Sequence, residues 1–499
     1  MLHFPAPRIL RVGLTLVVVA LLANVIATAT VVAKPVKSAT LVPASFDYGS
    51  LATTQTKDQV FTFTNTGTTT VRKPAATVTG TGFRILANPC ATAVLGPNGT
   101  CTVTVRYTAG AAAASGTLTV TANRTGYPST LTGGTPTIPT AVAVSPGYSH
   151  TCALDASGGV WCWGRNDLGQ LGLGDLVDRT TATAVPGMTS GFTEVVAGQR
   201  HTCAIDATGG VWCWGANDYG QLGDLTTTNR SSPVRVSEVS GATALALGYS
   251  HTCAAASGAA ICWGNAMSLG INNSSGSATI PTQAVGLESN VTEVQSWHNT
   301  TCALASGELW CWGDNSNGQV GIGGVYYNYQ AVPANLTSRI GSPVTSFGVG
   351  FGHVCAVVGG AVTCWGANLA GQIGQGSTST SKYPTPVGVV DLSSGVTAVA
   401  VGYTASCATV TGGAVKCWGA NDFNQTGNGT TTTPQTLATD STTYTGLTSP
   451  SGLRMGVTHV CAIVSGGGIR CWGKNDYGQL GNGTTADSPL TPVAVTSFP

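Results

Sequence analysis

The sequence predicts an all-β protein, a seven-bladed β-propeller preceded by a small β-sandwich, and three observations support this prediction. A unit of about fifty residues, marked by a Cys and then by Cys-Trp-Gly nine or ten residues later, occurs seven times over residues 141–499. Its third segment is apolar at successive positions, as at residues 211–214, which is typical of a strand buried on both faces. Units of this length that pack against copies of themselves form propeller blades.

Each repeat is predicted to contain four short strands, which in the second repeat cover residues 193–197, 201–205, 211–214 and 233–236. The two cysteines lie on the second and third strands, on either side of a turn. Nine-residue spacings centre on two residues, such as Ser257-Gly258, and ten-residue spacings centre on three residues that end in Gly, such as Gly158. Both turn types need positive φ, and both place the two cysteines opposite each other.

The sixteen cysteines are therefore predicted to pair as disulfides. A zinc site is disfavoured because the short C-x-x-C spacing never occurs, so no metal and no cofactor are expected. The predicted disulfides are Cys90–Cys101, Cys152–Cys162, Cys203–Cys213, Cys253–Cys262, Cys302–Cys311, Cys355–Cys364, Cys407–Cys417 and Cys461–Cys471.

The N-terminal segment, residues 1–33, is predicted to direct export. Arg8 and Arg11 precede an uncharged apolar run over residues 12–33 that ends in small residues, which is typical of a signal peptide. The run is also long enough to remain as a membrane anchor. Either alternative makes the protein secreted or attached to the cell surface, where disulfides persist.

Residues 40–123 are predicted to form the β-sandwich, because they alternate Thr with apolar residues between turn signals and contain no Trp. Residues 124–140 are rich in Thr, Gly and Pro and are predicted to be the linker. Only 8% of all residues are charged and the net charge is +1, so no nucleic-acid partner is expected.

The repeat resembles that of the regulator of chromosome condensation family. The segment from Gly198 to Gly223 carries H-T-C-A, a hairpin and V-W-C-W-G-A-N-D-Y-G-Q-L-G, and the resemblance covers residues 141–499. It implies a seven-bladed propeller, although the third repeat lacks the Gly-Gln step and the sixth has Asn424-Gln425-Thr426. The family's nucleotide-exchange activity is not expected here, because an exported chain does not meet a small nuclear GTPase and the insertion used for exchange has no match.

The N-terminal region resembles bacterial immunoglobulin-like modules of the abnormal-spindle/hydin type. The resemblance rests on FDYG at residues 46–49, TFTNTG at 62–67, GF at 82–83 and GTCTVTVRY at 99–107. It implies an immunoglobulin-like sandwich over residues 40–123.

The distribution of polar residues argues against an enzyme. Five histidines stand two residues before a repeat cysteine, and equivalent copies around a ring indicate a structural device that bonds a turn, since a catalytic His is normally singular. These are His150, His201, His251, His353 and His459. The recurring acids Asp167, Asp218, Asp422 and Asp476 each follow an Asn, a pattern typical of turns.

Aromatic residues in two columns are the candidate binding residues. Strand direction places the first-to-second and third-to-fourth connections on one face, opposite the disulfide-linked hairpins. Aromatic side chains on such turns suit recognition of a protein or glycan, and the alternative is that they fill gaps between blades. The candidates are Tyr148, Tyr249, Phe351 and Tyr403 in the first column, Tyr219, Phe423 and Tyr477 in the second, and Trp297, Tyr326 and Tyr327 nearby.

We therefore expect a non-enzymatic extracellular binding or adhesion protein, a monomeric propeller that uses one face to recognise an unknown protein or glycan. The alternatives are a structural cell-wall or matrix component whose face binds glycan, an inhibitor-type propeller and, less favoured, an enzyme. Exposed aromatic columns would favour the binding roles, whereas a deep central pocket with a converging acid and His would favour the enzyme.

Overall fold

A computed structural model describes residues 38–50, 56–108, 113–134, 139–273, 276–324, 329–440 and 451–498. The chain divides into two compact units, residues 1–137 and 138–499. The predicted signal segment 1–33 and the candidates Tyr326 and Tyr327 lie outside the described residues. Within the described part of the chain, no helix has the length and apolar character needed to cross a membrane.

The N-terminal unit consists of two four-stranded sheets around one core. The sheet orders are β1-β3-β8-β6 and β2-β10-β9-β5, with a small β4-β7 pair beside them. Phe61, Val103 and Leu118, from strands of both sheets, have no exposed surface and belong to a single apolar cluster. The strands are β1 (Thr40–Val42), β2 (Ser45–Ser50), β3 (Thr56–Thr64), β4 (Val71–Arg72), β5 (Ala75–Thr79), β6 (Phe83–Ala87), β7 (Val94–Leu95), β8 (Thr100–Thr108), β9 (Ala114–Ala122) and β10 (Thr125–Gly134), with a 3-10 helix at Pro89–Thr92.

The prediction of a linker over residues 124–140 is wrong for the stretch that forms β10. This strand pairs antiparallel with β9 and parallel with β2. Alternate side chains point inward, since Leu131 is fully buried and the ring of Tyr127 lies 5.4 Å from that of Phe63. Pro128 lies where β10 pairs with β9 alone. This alternation was not predicted, because the Thr, Gly and Pro content of the stretch is typical of a linker. The immunoglobulin-like identity of the N-terminal unit stays a prediction.

The described residues of the C-terminal unit form seven successive four-stranded antiparallel sheets, each with its strands in chain order. Two short helical turns, Ala266–Ser268 and Thr337–Ile340, lie in the connections. The strands are β11 (Ala141–Pro146), β12 (His150–Asp155), β13 (Val160–Gly164), β14 (Arg179–Ala184), β15 (Phe192–Ala197), β16 (His201–Asp206), β17 (Val211–Gly215), β18 (Arg230–Arg235), β19 (Ala242–Leu247), β20 (His251–Ala256), β21 (Ala259–Asn265), β22 (Ser277–Gln283), β23 (Val291–Trp297), β24 (Thr300–Ala305), β25 (Glu308–Asp314), β26 (Tyr329–Asn335), β27 (Val344–Val349), β28 (His353–Val358), β29 (Ala361–Asn368), β30 (Ser379–Gly388), β31 (Val396–Val401), β32 (Ala405–Val410), β33 (Val415–Gly419), β34 (Gln435–Asp440), β35 (Ser451–Met455), β36 (His459–Ile463), β37 (Ile469–Gly473) and β38 (Ser488–Ala494).

The seven sheets form a closed ring, because β11 of the first sheet packs against β35 and β36 of the last. The innermost strands of neighbouring sheets also contact one another, as β15 contacts β19 and β19 contacts β23. The predicted all-β propeller class is therefore confirmed. In the second sheet the outermost strand begins at Arg230, three residues before the predicted start.

The hairpins follow the predicted turn chemistry. Ser257 and Gly258 both have positive φ, as a two-residue turn requires, and Gly158 has φ +80° at the end of its three-residue turn. The eight predicted disulfides are all present, and within the repeats each pair of cysteines is directly opposed across the two middle strands, with Cα atoms 4.0–4.2 Å apart. The disulfide fixes the register of each hairpin, since a slip of one residue would exchange the two faces.

In six of the seven sheets the indole of a buried Trp donates a hydrogen bond to the sheet before it. Trp214 has no exposed surface, and its indole Nε1–H donates to the backbone carbonyl of Gln170 in the preceding sheet, at 2.9 Å. The hydroxyl of Thr202 donates to the same carbonyl at 2.8 Å. The Gly-Gln step of the repeat thus supplies a shared acceptor at the boundary between sheets.

The repeated histidines join neighbouring sheets rather than bonding a turn within one. His150 Nε2 lies 2.9 Å from the hydroxyl oxygen of Thr202 in the next sheet. Because the Thr202 hydroxyl donates to the Gln170 carbonyl, Nε2 must carry the proton and donate to the hydroxyl oxygen. The other ring nitrogen, Nδ1, is buried without a hydrogen-bond partner. The remaining pairs are His201 with Thr252, His251 with Thr301, His353 with Ser406 and His459 with Thr151.

The two boundaries that lack a histidine also lack the hydroxyl. In the fourth repeat the position of the His is occupied by Thr300 and in the sixth by Ala405. The residues that follow in the next sheets are Val354 and Val460, where the other repeats have Thr or Ser. Donor and acceptor are therefore kept or lost together, which avoids a buried polar group without a partner.

We expect the substitution Thr202→Val to lower the free energy of unfolding of the propeller by about 2 kcal/mol. The change removes the acceptor of the buried His150 Nε2–H and leaves that group unsatisfied. Denaturant unfolding of the single variants Thr202→Val and His150→Ala and of the double variant would measure the coupling between the two residues. The double variant copies the Ala405/Val460 boundary and should lose less than the two single variants together. Additive losses would contradict this account.

Candidate binding face

The first-to-second and third-to-fourth connections of each sheet lie on the same face, as predicted. In the second sheet the carbonyl of Arg200, in the first connection, accepts a hydrogen bond from the Ala216 N–H at 3.0 Å. The Arg200 guanidinium also bonds Asp218, in the third-to-fourth connection, at 3.0 Å. Residues of the two columns are therefore neighbours, and we call their shared surface the binding face.

In every repeat except the third, two buried amides hold the third-to-fourth connection in shape. In the second sheet Asn217 Nδ2 donates to the carbonyls of Thr226 and Thr228 at 3.1 Å, and its Oδ1 accepts from the Leu222 N–H at 2.9 Å. Gln221 Oε1 accepts from the N–H of Tyr219 at 2.9 Å. The Asn and Gln of the repeat motif thus fix the backbone from which the second column projects, so the loop needs little ordering when a partner binds.

The first column forms a row of rings around one mouth of the central channel. Ring centroids are 5.6 Å apart for Tyr249 and His298, 5.0 Å for His298 and Phe351, and 4.5 Å for Phe351 and Tyr403. Burial, together with the nearby Tyr148, raises the pKa of Tyr403. Tyr148 and Tyr249 are 43% and 37% exposed, whereas Phe351 and Tyr403 are half-buried by their contacts with neighbouring rings.

The second column and a set of cations complete the face. Tyr219 is 40% exposed, and Phe423 and Tyr477 are half-buried. The Arg165 guanidinium lies 4.9 Å from the ring centroid of Tyr477, and its Nη2 is 2.6 Å from Asp167. Two further cations lie over rings, Arg200 over Tyr249 and Lys474 over Phe423. These cations were not among the predicted binding residues. Their signal in the sequence is a basic residue after the Trp-Gly pair or just before the repeat His.

Trp297 is not part of the binding face, and its prediction as a binding residue is wrong. It occupies the position held by Gly in the other repeats, at the end of β23, and is only 6% exposed. Its side chain packs with Phe347 and Val349 of the next sheet in one apolar cluster. Val457, from the seventh sheet, packs against this cluster as well, so side chains from opposite sides of the ring meet at this mouth.

The described residues show no constellation for metal chemistry. None of the groups of His, Cys, Asp and Glu among them is arranged to hold a metal ion. Burial lowers the pKa of each of the five histidines between sheets to about 3, so these rings are neutral near pH 7. The acids Asp167, Asp218 and Asp476 form surface ion pairs beside the aromatic columns.

The repeats match a known sequence pattern. The pattern described as "Regulator of chromosome condensation (RCC1) repeat" matches residues 157–205, 208–255, 306–357 and 466–499, and a second pattern of the same description matches 140–170, 192–221 and 396–425. These matches include strands from all seven sheets of the propeller. The chain therefore carries RCC1 repeats.

Curated relatives share these repeats over different lengths. The ultraviolet-B receptor UVR8 of Arabidopsis thaliana is 28% identical over 364 residues, which are 70% of this chain and 69% of the receptor. The mitochondrial RCC1 domain-containing protein RUG3 of the same plant is 30% identical and covers 56% of this chain and 66% of its own. The probable E3 ubiquitin-protein ligase HERC4 of Homo sapiens is 39% identical over 114 residues, but the match spans only 11% of the ligase.

Solved structures show the same fold. Prp20p of Saccharomyces cerevisiae, in a structure described with its binding to Gsp1p and histones, has a TM-score of 0.57 at 19% identity and covers 72% of this chain and 87% of its own. Human WBSCR16 has a TM-score of 0.58 at 20% identity and covers 66% of this chain and 88% of its own.

Proposed function

We propose, from the premise that this chain is an RCC1-repeat propeller, that it is a non-enzymatic extracellular protein that binds a protein partner through the binding face. The observation that carries the proposal is the exposure of Tyr148, Tyr219 and Tyr249 on one face. Isolated exposed rings are ordinary, but several rings on one face resemble the aromatic anchors of protein interfaces.

The rigidity and the charge pattern of the face support a protein partner. Hydrogen bonds from the Tyr148 N–H to the Gly198 carbonyl and from the Tyr249 N–H to the His298 carbonyl fix the first column. Cations over rings, each close to an Asp, give a mixed surface of aromatic and charged groups, and interfaces are enriched in Tyr and Arg. Prp20p, which shares the fold, is described as binding Gsp1p and histones, which also favours a protein.

The extracellular location rests on the disulfides. Eight disulfides account for all sixteen cysteines, a density typical of exported proteins. An enzyme is disfavoured because the described residues that line the central channel include no His. Five histidines are buried between sheets instead. The alternatives of a wall or matrix component and of an inhibitor-type propeller share the same binding face.

We expect the variants Tyr148→Ala and Tyr249→Ala to weaken partner binding at least tenfold while the melting temperature stays unchanged. Both side chains are exposed, so their loss removes interface contacts and little core packing. A photo-cross-linking amino acid at position 249 would capture the partner from the native cell surface, and binding of the purified partner would then be measured with each variant.

The matched control places the cross-linker or Ala at Ile280, a 50% exposed apolar residue on the outermost strand β22. Equal cross-linking at positions 249 and 280 would contradict the proposal. So would tyrosine variants that bind the partner as tightly as the unsubstituted protein does. If the protein captures only glycan, and if the variant Tyr249→Ala no longer binds that glycan, the wall or matrix alternative would be established.

A further inference from the structure

The innermost strands of the seven sheets surround a cavity of about 280 Å³. Trp297, Val349 and Met455 line one end of it, directly beneath the aromatic row. Near the start of the innermost strand of the first sheet, the lining residue Val142 is 55% exposed.

Three charged side chains line this cavity among its described residues: Glu194 on β15, Glu293 on β23 and Arg454 on β35. The sheets that separate them contribute small side chains, such as Ala143 and Ala244. The space between the charged groups exists because these neighbours are small. A charge on an innermost strand is unusual in this chain, where the same strands are otherwise composed of apolar and uncharged polar residues.

None of the three charges is fully paired within the described chain. The Leu245 N–H bonds the Glu194 carboxylate, yet Glu194 Oε2 is buried without a hydrogen-bond partner. Glu293 accepts a hydrogen bond from Gln295 at 2.6 Å. Arg454 is exposed, forms no ion pair among the described residues and donates to the carbonyl of Leu453 at 3.1 Å. A buried acceptor without a partner costs free energy that a bound donor would recover.

We propose that the channel binds a small zwitterion, a free α-amino acid or a dipeptide, with its carboxylate on Arg454 and its ammonium on Glu194 and Glu293. A simple anion would meet two carboxylates, and a simple cation would meet Arg454, whereas a zwitterion satisfies both signs. The volume lies below the roughly 300–1,000 Å³ of pockets for drug-sized molecules, which fits a ligand of this size. The site is distinct from the binding face.

Isothermal titration of the purified protein with L-alanine, L-lysine, L-glutamate and the dipeptide Ala-Ala tests the proposal. At least one of these probes should bind, and its N-acetyl or C-amide derivative should bind at least tenfold more weakly. Arg454→Gln and Glu194→Gln should each weaken binding by a similar factor, whereas Arg200→Gln, on the binding face, should leave it unchanged. Burial raises the pKa of Glu194 to about 7, so binding of the ammonium should release protons near pH 7.

Absence of binding by all four probes would overturn the proposal. Binding of the C-amide derivatives as tightly as the free acids would overturn it in favour of a cation site. Binding that survives both Arg454→Gln and Glu194→Gln would place the ligand elsewhere. None of these three results bears on the partner of the binding face, because that test uses different residues.

Discussion

Lowering the pH from 8 to 5 is expected to reduce the free energy of unfolding of the propeller by about 7.5 kcal/mol. The five histidines between sheets have pKa values lowered by burial from the ordinary 6.5 to about 3. In the unfolded chain they bind protons below pH 6.5, whereas in the folded protein they stay neutral. Their contribution to stability is therefore complete above pH 6.5 and is lost as the pH falls toward 3.

The size of the effect follows from the shifts. At pH 5 each buried His costs about 2 kcal/mol relative to neutral pH, or about 10 kcal/mol for five. Glu194 acts with the opposite sign, because its folded pKa is raised from 4.5 to about 7 and the folded protein binds its proton first. It returns about 2.5 kcal/mol over the same interval. Many domains are stable by only about 5–15 kcal/mol, so mild acid should bring this propeller close to unfolding.

Denaturant unfolding at several pH values between 8 and 5 measures this dependence. The matched control is the double variant His353→Ala/Ser406→Val, which copies the natural Ala405/Val460 boundary and should lower the pH-dependent loss by about 2 kcal/mol. Asp206, whose pKa is lowered to about 2, titrates below this range. A loss below about 2 kcal/mol between pH 8 and pH 5 would show that the five rings are not kept neutral.

The substitution Trp214→Ala is expected to lower the free energy of unfolding by about 3–5 kcal/mol. The indole is fully buried between the first two sheets, and its removal also takes one donor from the Gln170 carbonyl. Gly172, at φ +73°, allows the close approach, since a Cβ there would lie 2.9 Å from the indole nitrogen.

Trp212 provides a matched control two residues away on the same strand. It is half-buried, donates from its indole to Asp206 at 2.9 Å and lies beneath Arg235. We expect Trp212→Ala to cost about 1–2 kcal/mol, because part of its surface already faces water. Equal losses in the two variants, measured by denaturant unfolding, would mean that burial between sheets does not set the stability of the ring.

Features with local causes were predictable from the sequence. The turns at Ser257-Gly258 and Gly158 could be placed because positive φ is required by the turn itself and is favoured by few residues. The opposed cysteines then followed from the turn length. The shared face of the two connections followed from strand direction alone.

Features that depend on a neighbouring sheet were harder to predict. Trp297 is aromatic and lies beside the first column, but only the packing of the next sheet shows that it is buried. The hydroxyl partners of the histidines were also not predicted. Val354 and Val460 indicate these partners, because each Val replaces the hydroxyl residue in the repeat that follows a repeat without His. No role was predicted for Glu194 or Arg454, because each is a single charge in a strand whose periodicity gave the prediction.

The boundary between the seventh and first sheets is built like the boundary between the first and second sheets. His459 bonds Thr151, the Trp163 indole donates to the Gln479 carbonyl, and Gly481 packs on that indole. Among the described strands, each sheet takes all four from one continuous segment, so none of these strands is exchanged to lock the ring. The folding of the ring should therefore not depend on which sheet comes first in the sequence. A circularly permuted propeller, with its old ends joined and new ends opened between two other sheets, should reach the same native structure.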